Sequence, residues 1–168
     1  MKKKHSLAAG SFALITTLTA TTSYAQSPSE NQFGELKVGA ALWNVMDDAD
    51  RNAAHVAYIH TPLKDFYGIQ PSALVIWADE GQHYYSIGAH KEFYRNGRFS
   101  TSIAFHAGLV DSPEELGDSV EFYSALGAQY QLSERWAVEA EIGHISNGGL
   151  GETNPGSEGI TLSLRYNL

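Results

Sequence analysis

The chain has no cysteine in its 168 residues. That excludes a disulfide framework and thiol chemistry. Cations are also scarce, with 11 Lys and Arg against 19 Asp and Glu, and three of those lysines fall within the first four positions. So acidic a surface repels nucleic acid, and no basic groove is encoded. After residue 25 no apolar run is long enough for a membrane-spanning helix, and no stretch carries the 3.6-residue period of an amphipathic one. Walker, Rossmann and zinc motifs are missing. His55, His60, His83, His90 and His106 show no compact metal-ligand spacing and read as lumen or interfacial residues, so no cofactor or metal is expected.

What is present begins with a targeting signal. Met1-Lys2-Lys3-Lys4, an apolar run over residues 7–18 and the small-x-small end Ser23-Tyr24-Ala25 have the order of a secretory signal peptide. With residues 1–25 removed, residues 26–168 form a single domain of 143 residues (168 − 25 = 143). The mature chain keeps eight cations against 19 anions, a net charge of −11.

Past residue 25 the pattern is period-2 alternation broken by turn residues. It predicts eight strands at about 34–44, 52–62, 71–78, 82–94, 98–110, 119–131, 135–146 and 157–168. The later strands have clear faces. Phe99, Ile103, Phe105 and Leu109 share a side in the fifth, Phe122, Leu126 and Tyr130 in the sixth, Trp136, Val138 and Ile142 in the seventh, and Ile160, Leu162 and Leu164 in the eighth. The second and third strands have no clear polar face.

Several segments reach the ten residues that a tilted membrane strand needs. Trp43, Tyr67, Trp77, Tyr84, Tyr94, Phe99, Tyr130, Trp136 and Tyr166 sit near segment ends, as interfacial girdles do. The odd-to-even connections, about 45–51, 79–81, 111–118 and 147–156, are acidic. The opposite turns are shorter except at residues 62–70. Long loops on one rim and short turns on the other point to an all-β, eight-stranded antiparallel transmembrane β-barrel in the outer membrane of a Gram-negative bacterium. Glu139 and Glu141 would face the lumen beside Arg165 as a structural ion-pair network.

One feature breaks the apolar face. His144 and Ser146 continue the even, lipid-side parity of the seventh strand, and Glu158 begins that parity in the eighth. Pairing 144 with 158 would centre the connection on Gly151. A hydroxyl, an imidazole and a carboxylate then meet on one face near one rim. The imidazole can take the serine proton, and the carboxylate can fix its tautomer. The glycines at 148 and 149 let the backbone turn so that amides of residues 147–149 point at a developing oxyanion. Asn-Gly and Asn-Pro-Gly are also ordinary turn chemistry. Two other readings are a non-enzymatic structural or adhesive outer-membrane barrel and a soluble lipocalin-like barrel with a ligand inside.

The run Glu141-Ile142-Gly143-His144-Ile145-Ser146-Asn147-Gly148-Gly149, then Asn154-Pro155-Gly156-Ser157-Glu158 and a closing apolar strand, resembles the PagL family of outer-membrane lipid A 3-O-deacylases. The resemblance is specific over about residues 134–168. It implies that Ser146 is the nucleophile, His144 the general base and acid, and Glu158 the orienter. It also implies that the amides of Asn147 and Gly149 form the oxyanion hole and that Asn154 supports the site. The implied substrate is the ester-linked 3-hydroxyacyl chain at position 3 of lipid A, the lipid anchor of lipopolysaccharide, reached on the barrel wall from the surrounding outer-membrane lipid. Whether the protein forms a homodimer is left open by the sequence. The chain ends in Leu168 rather than the usual aromatic.

Overall fold

The computed structural model describes residues 33–45, 51–79 and 81–168. The expected signal peptide, residues 1–25, and the acidic residues Asp47, Asp48, Asp50 and Glu80 lie outside them.

The described residues form a closed antiparallel barrel of eight strands, each paired with its neighbour in sequence and the first with the last. They are β1 (Glu35–Trp43), β2 (Arg51–Ile59), β3 (Gln70–Ala78), β4 (Tyr84–Asn96), β5 (Phe99–Val110), β6 (Val120–Gln131), β7 (Trp136–Ser146) and β8 (Ser157–Asn167). Closure satisfies every strand edge, which a sheet in lipid requires. A hydrogen-bonded row that leaves Glu35 passes Ile59, Ser72, Gly88, His106, Tyr123, Ile145 and Ser157. The β1–β8 register returns that row to position 45, ten residues beyond its start (35 + 167 − 157 = 45). Val45 N donates to Glu158 O at 2.9 Å there. This stagger sets the strand tilt, and the rows climb steeply around the wall.

The strand bounds differ from expectation mainly at the turn rim. β2 stops at Ile59 and β4 runs on to Asn96, with a bulge between Glu92 and Tyr94. The residue inserted there bends the strand. The 60–69 connection carries a short 3₁₀ turn, Lys64–Phe66, closed by a Leu63–Ile69 bridge.

Burial alternates along the strands, most cleanly in β2, β6 and β7, with side chains facing the lumen buried and those facing outward more exposed, and it is lost in β4 beyond the bulge. Leu36, Val38, Tyr58, Trp77, Ile87, Ile103, Phe105, Leu126, Ile142, Leu162 and Leu164 all stand out on the wall. An apolar belt of this extent belongs in lipid, whereas a soluble barrel would turn this face inward.

Two expectations about faces need correction. Trp43 and Tyr84 were placed with the interfacial aromatics, but they point inward and are 1 % and 0 % exposed. There they pack with Tyr123, Leu116 and Ile145 to fill the loop end of the lumen. The lumen is also less uniformly polar than outer-membrane alternation suggests. Leu74 and Ile76 of β3 and Ile59 of β2 face it. Strands apolar on both sides cannot declare a face by pattern, and this is why β2 and β3 were ambiguous.

Lower in the lumen the ion pairs lie where Glu139 and Glu141 point. Lys37 Nζ donates to Glu141 Oε2 at 2.7 Å, and Arg165 Nη1 donates to Glu139 Oε2 at 2.9 Å. Arg165 Nε donates to Glu35 Oε2 at 2.7 Å, and Tyr123 Oη donates to Glu141 Oε1 at 3.0 Å. Tyr123 can reach across because β7 carries Gly143 at the crossing. A Cβ there would stand 2.0 Å from the Tyr123 hydroxyl. Thus the residue before His144 is fixed by packing inside the barrel.

Candidate active site

β7 delivers the site at the end that joins the 147–156 loop. Its outward residues are even-numbered, so His144 and Ser146 share the outer wall while Gly143 and Ile145 face in. β8 pairs His144 directly with Glu158. His144 Nδ1 and Glu158 Oε1 are 3.2 Å apart, with the side chains 49 % and 39 % exposed. An imidazole held through Nδ1 presents its other nitrogen, Nε2, for proton transfer. Gly156, at φ +67, lies against that ring. A Cβ on it would come within 3.0 Å of His144 Cε1, so the turn into β8 leaves room for the imidazole only by omitting a side chain.

Ser146 is the last residue of β7 and pairs with Phe122 of β6. Among the described residues its hydroxyl makes no hydrogen bond, to His144 or to any other group. The two side chains occupy adjacent same-face positions on one strand.

The turn after Ser146 is tightly tied down. Leu150 N donates to Asn147 O at 3.2 Å, and Gly148 and Gly149 between them have φ of 65° and 84°. Positive φ at both central positions is the type I′ geometry, which favours glycine. The Asn147 side chain is fully buried. Its Nδ2 donates to Leu116 O at 3.1 Å and Thr153 O at 2.8 Å, and its Oδ1 accepts from Gly149 N at 2.9 Å. Asn147 N donates to Asn154 Oδ1 at 3.0 Å. One asparagine therefore links the 147–156 loop to the 111–119 loop.

The six residues singled out from the sequence thus divide into two groups. His144 and Glu158 are in contact on the outer wall, and Ser146 shares their face two residues along β7. Asn147, Gly149 and Asn154 meet one turn away, with the Asn147 and Gly149 amides held by the Asn154 and Asn147 side-chain oxygens. Between those amides, Gly148 N makes no hydrogen bond among the described residues. Sequence reasoning missed the aromatic flank. Phe122, beside Ser146, stacks on Phe105 of β5 with centroids 5.9 Å apart and planes at 17°. The even parity of Phe122 and odd parity of Phe105 placed both outward, but their neighbourhood needed the β5–β6 register.

A closed eight-stranded barrel with an apolar outer wall is the outer-membrane class of β-barrel. Here a Ser, a His and a Glu stand together on that wall. Residues 22–167 match the family model described as Lipid A 3-O-deacylase (PagL), and the chain belongs to that family. This makes it a hydrolase of the lipid A 3-O-deacylase type. Among solved structures, the crystal structure of the outer membrane enzyme PagL is similar at TM-score 0.58 and 17 % identity, covering 80 % of this chain and 99 % of that one. A de novo designed transmembrane β-barrel follows at TM-score 0.54 and 12 % identity, with coverage of 83 % and 99 %. The Neisserial surface protein A crystal structure is similar at TM-score 0.54 and 14 % identity, with coverage of 80 % and 95 %. At these identities the three structures speak for the fold. No curated protein sequence matches.

Proposed function

We propose that the protein removes the ester-linked 3-hydroxyacyl chain at position 3 of lipid A from the outer leaflet, through a Ser146–His144–Glu158 triad on the lipid-facing wall. The observation that carries this reading is the direct β7–β8 pairing of His144 with Glu158, two residues from Ser146 on the same face.

The steps follow from the side chains. His144 Nε2 takes the Ser146 hydroxyl proton as Oγ attacks the ester carbonyl. Glu158, on Nδ1, holds the tautomer and stabilises the imidazolium. The tetrahedral oxyanion forms beside the 147–149 turn. The amides of Asn147 and Gly149 serve it by releasing Asn154 Oδ1 and Asn147 Oδ1, next to the unbonded Gly148 amide. Collapse breaks the bond to the sugar oxygen, and His144 returns the proton to that leaving hydroxyl. Water, deprotonated by His144, then hydrolyses the acyl-serine and frees the 3-hydroxy fatty acid. Asn154 acts as a positioning residue that orients the turn.

The siting suits a substrate that is itself part of the membrane. A lipid reaches the wall by lateral diffusion, so no pocket open to water is needed. The barrel also anchors the triad on two paired strands, the rigid support that catalytic geometry requires.

A fluorophosphonate probe with an alkyl chain tests the nucleophile. Wild-type protein in detergent should acquire one label on the peptide containing Ser146, and His144→Ala should label far more slowly. Labelling confined to another serine would contradict the assignment.

A further inference from the structure

At the loop rim a polar hub joins the connections between strands, and it reaches the Asn147 side chain. Glu115 is its centre. Glu115 Oε1 accepts from Arg51 Nη2 at 2.8 Å, and Oε2 accepts from Asn44 Nδ2 and Gln82 Nε2, each at 3.2 Å. Gln82 Oε1 in turn accepts from Asn44 Nδ2 at 2.9 Å and from Trp43 Nε1 at 2.7 Å. One carboxylate thus ties together the end of β1, the start of β2 and the approach to β4.

Two backbone outliers lie in this hub. Asn44 and Gln82 both have φ of 61°, and both side chains are buried. Residues other than glycine hold that left-handed conformation only where surrounding contacts impose it. Both amides reach Glu115 from it, so the hub is kept against a backbone cost.

The step from the hub to the site is one residue long. Leu116 follows Glu115, and its carbonyl accepts from Asn147 Nδ2 at 3.1 Å. Leu116 N and Gly117 N both donate to Pro113 O, at 3.0 and 2.8 Å, which closes the turn that presents this carbonyl. The other acceptor for Asn147 Nδ2, Thr153 O, is in the same loop as Asn147 and ties that loop only to itself. Among the described residues, Leu116 O is the acceptor outside the 147–156 loop that holds the Asn147 side chain. Two acceptors on Nδ2 fix the plane of the carboxamide, and this aims Oδ1 at Gly149 N, 2.9 Å away. The two loops also touch directly, since a Cβ on Gly117 would stand 2.5 Å from Thr153 O.

We propose that Glu115 is a positioning residue for ester hydrolysis. It holds the Leu116 carbonyl where that carbonyl orients Asn147 and, through Asn147, the 147–149 amides that receive the oxyanion. The inference rests on the triad reading above. The triad itself does not need Glu115, because its residues stand on β7 and β8 and the two strands are paired as far as Ile145 and Ser157. The amides lie beyond the end of β7, where no strand pairing holds them. A misplacement of about 1 Å in such a site can cost on the order of 10²-fold in rate. A loop residue that sets the place of oxyanion donors acts on the transition state and leaves substrate binding alone.

The test measures kcat and KM for p-nitrophenyl butyrate with full-length protein folded in detergent. Glu115→Ala should lower kcat by roughly tenfold with KM unchanged, less than the ~10²–10³ cost of losing an oxyanion donor outright. Glu115→Gln keeps an acceptor for Asn44 and Gln82 and should restore most of kcat. Asn44→Gly suits the left-handed backbone and removes two hydrogen bonds of the hub, so it should lower kcat in the same way. Asn52→Ala removes a rim hydrogen bond to Asp79 outside the hub and should leave both constants as in wild type. In an Asn147→Ala background Glu115→Ala should have no further effect, as expected of residues that act through one another. Heat-modifiable gel migration gives the folded fraction of each variant. Wild-type kcat per folded barrel in Glu115→Ala and Asn44→Gly overturns the proposal while the triad stands. A full tenfold loss added on top of Asn147→Ala overturns it too, as does a fall in kcat that only tracks the folded fraction. Where Asn147→Ala does not fold, the split between kcat and KM in Glu115→Ala and the recovery in Glu115→Gln decide alone. If wild type cleaves no ester, the triad reading falls and the role of Glu115 falls with it.

Discussion

β7 carries two polar clusters on opposite faces, and their contrast separates structure from chemistry. Facing in, Glu139 and Glu141 are 1 % and 3 % exposed and are held by Lys37, Arg165 and Tyr123. Facing out, His144 and Glu158 are 49 % and 39 % exposed by side chain, and among the described residues their side chains hold only each other and the Ser146 hydroxyl makes no hydrogen bond. Each inner carboxylate accepts a hydrogen bond from a buried cation, the pairing that burial demands. The outer trio has free hydrogen-bonding capacity on the outer face of the wall. Polar groups left free beside lipid are costly to keep unless something uses them. The difference between the clusters is therefore one of unspent capacity, and one strand supplies both because its side chains alternate.

Five variants sharpen that contrast, beginning with the largest effect. His144→Ala should lower kcat for ester hydrolysis by about 10⁴-fold or more, the usual cost of losing a triad base, with little loss of thermal stability. A comparable loss of folded barrel on gels would instead place His144 among structural residues. Glu158→Gln should lower kcat by on the order of 10²–10⁴-fold with KM nearly constant, since an amide on Nδ1 supports the wrong tautomer. Full activity in that variant would remove Glu158 from the machinery.

Inside the barrel the readout reverses. Lys37→Ala leaves Glu141 buried with its main cation gone and should destabilise the barrel by about 3–5 kcal/mol, seen as a lower unfolding midpoint in urea with kcat per folded molecule retained. Combining Lys37→Met with Glu141→Leu removes both charges and should recover most of that loss. The smallest effect is expected from Asn154→Ala. It deprives Asn147 N of a partner-accepting oxygen and should cost about 1 kcal/mol in stability. A several-fold fall in kcat, with KM held, would accompany it if the turn's orientation matters to the chemistry.

Much of this contrast is legible in the sequence, because it depends on parity. Trp136, Val138 and Ile142 show which way the even residues of β7 point, and that alone assigns Glu139 and Glu141 to the lumen and His144 and Ser146 to the wall. What parity cannot supply is register around the barrel. Lys37 and Glu35 meet β7 and β8 side chains only because β1 closes against β8 with a ten-residue stagger. The Phe105–Phe122 stack likewise depends on β5–β6 pairing. Trp43 and Tyr84 were misassigned for a related reason. An aromatic at a strand end suits either an interfacial girdle or a lumen plug, and here Trp43 Nε1 finds Gln82 Oε1 inside at 2.7 Å. The Asn147 clasp was hidden because Asn-Gly already explains itself as a turn. Its side-chain partners, Leu116 O and Thr153 O, come from two different loops.

The most direct test of the triad is the mass spectrum of lipid A from cells expressing the wild-type protein or Ser146→Ala at equal levels of folded barrel. Wild type should yield lipid A lighter by one 3-hydroxyacyl chain, lost from position 3, and Ser146→Ala should leave lipid A intact. Deacylation that persists in the Ser146→Ala cells, above that of cells with no barrel expressed, would contradict the account.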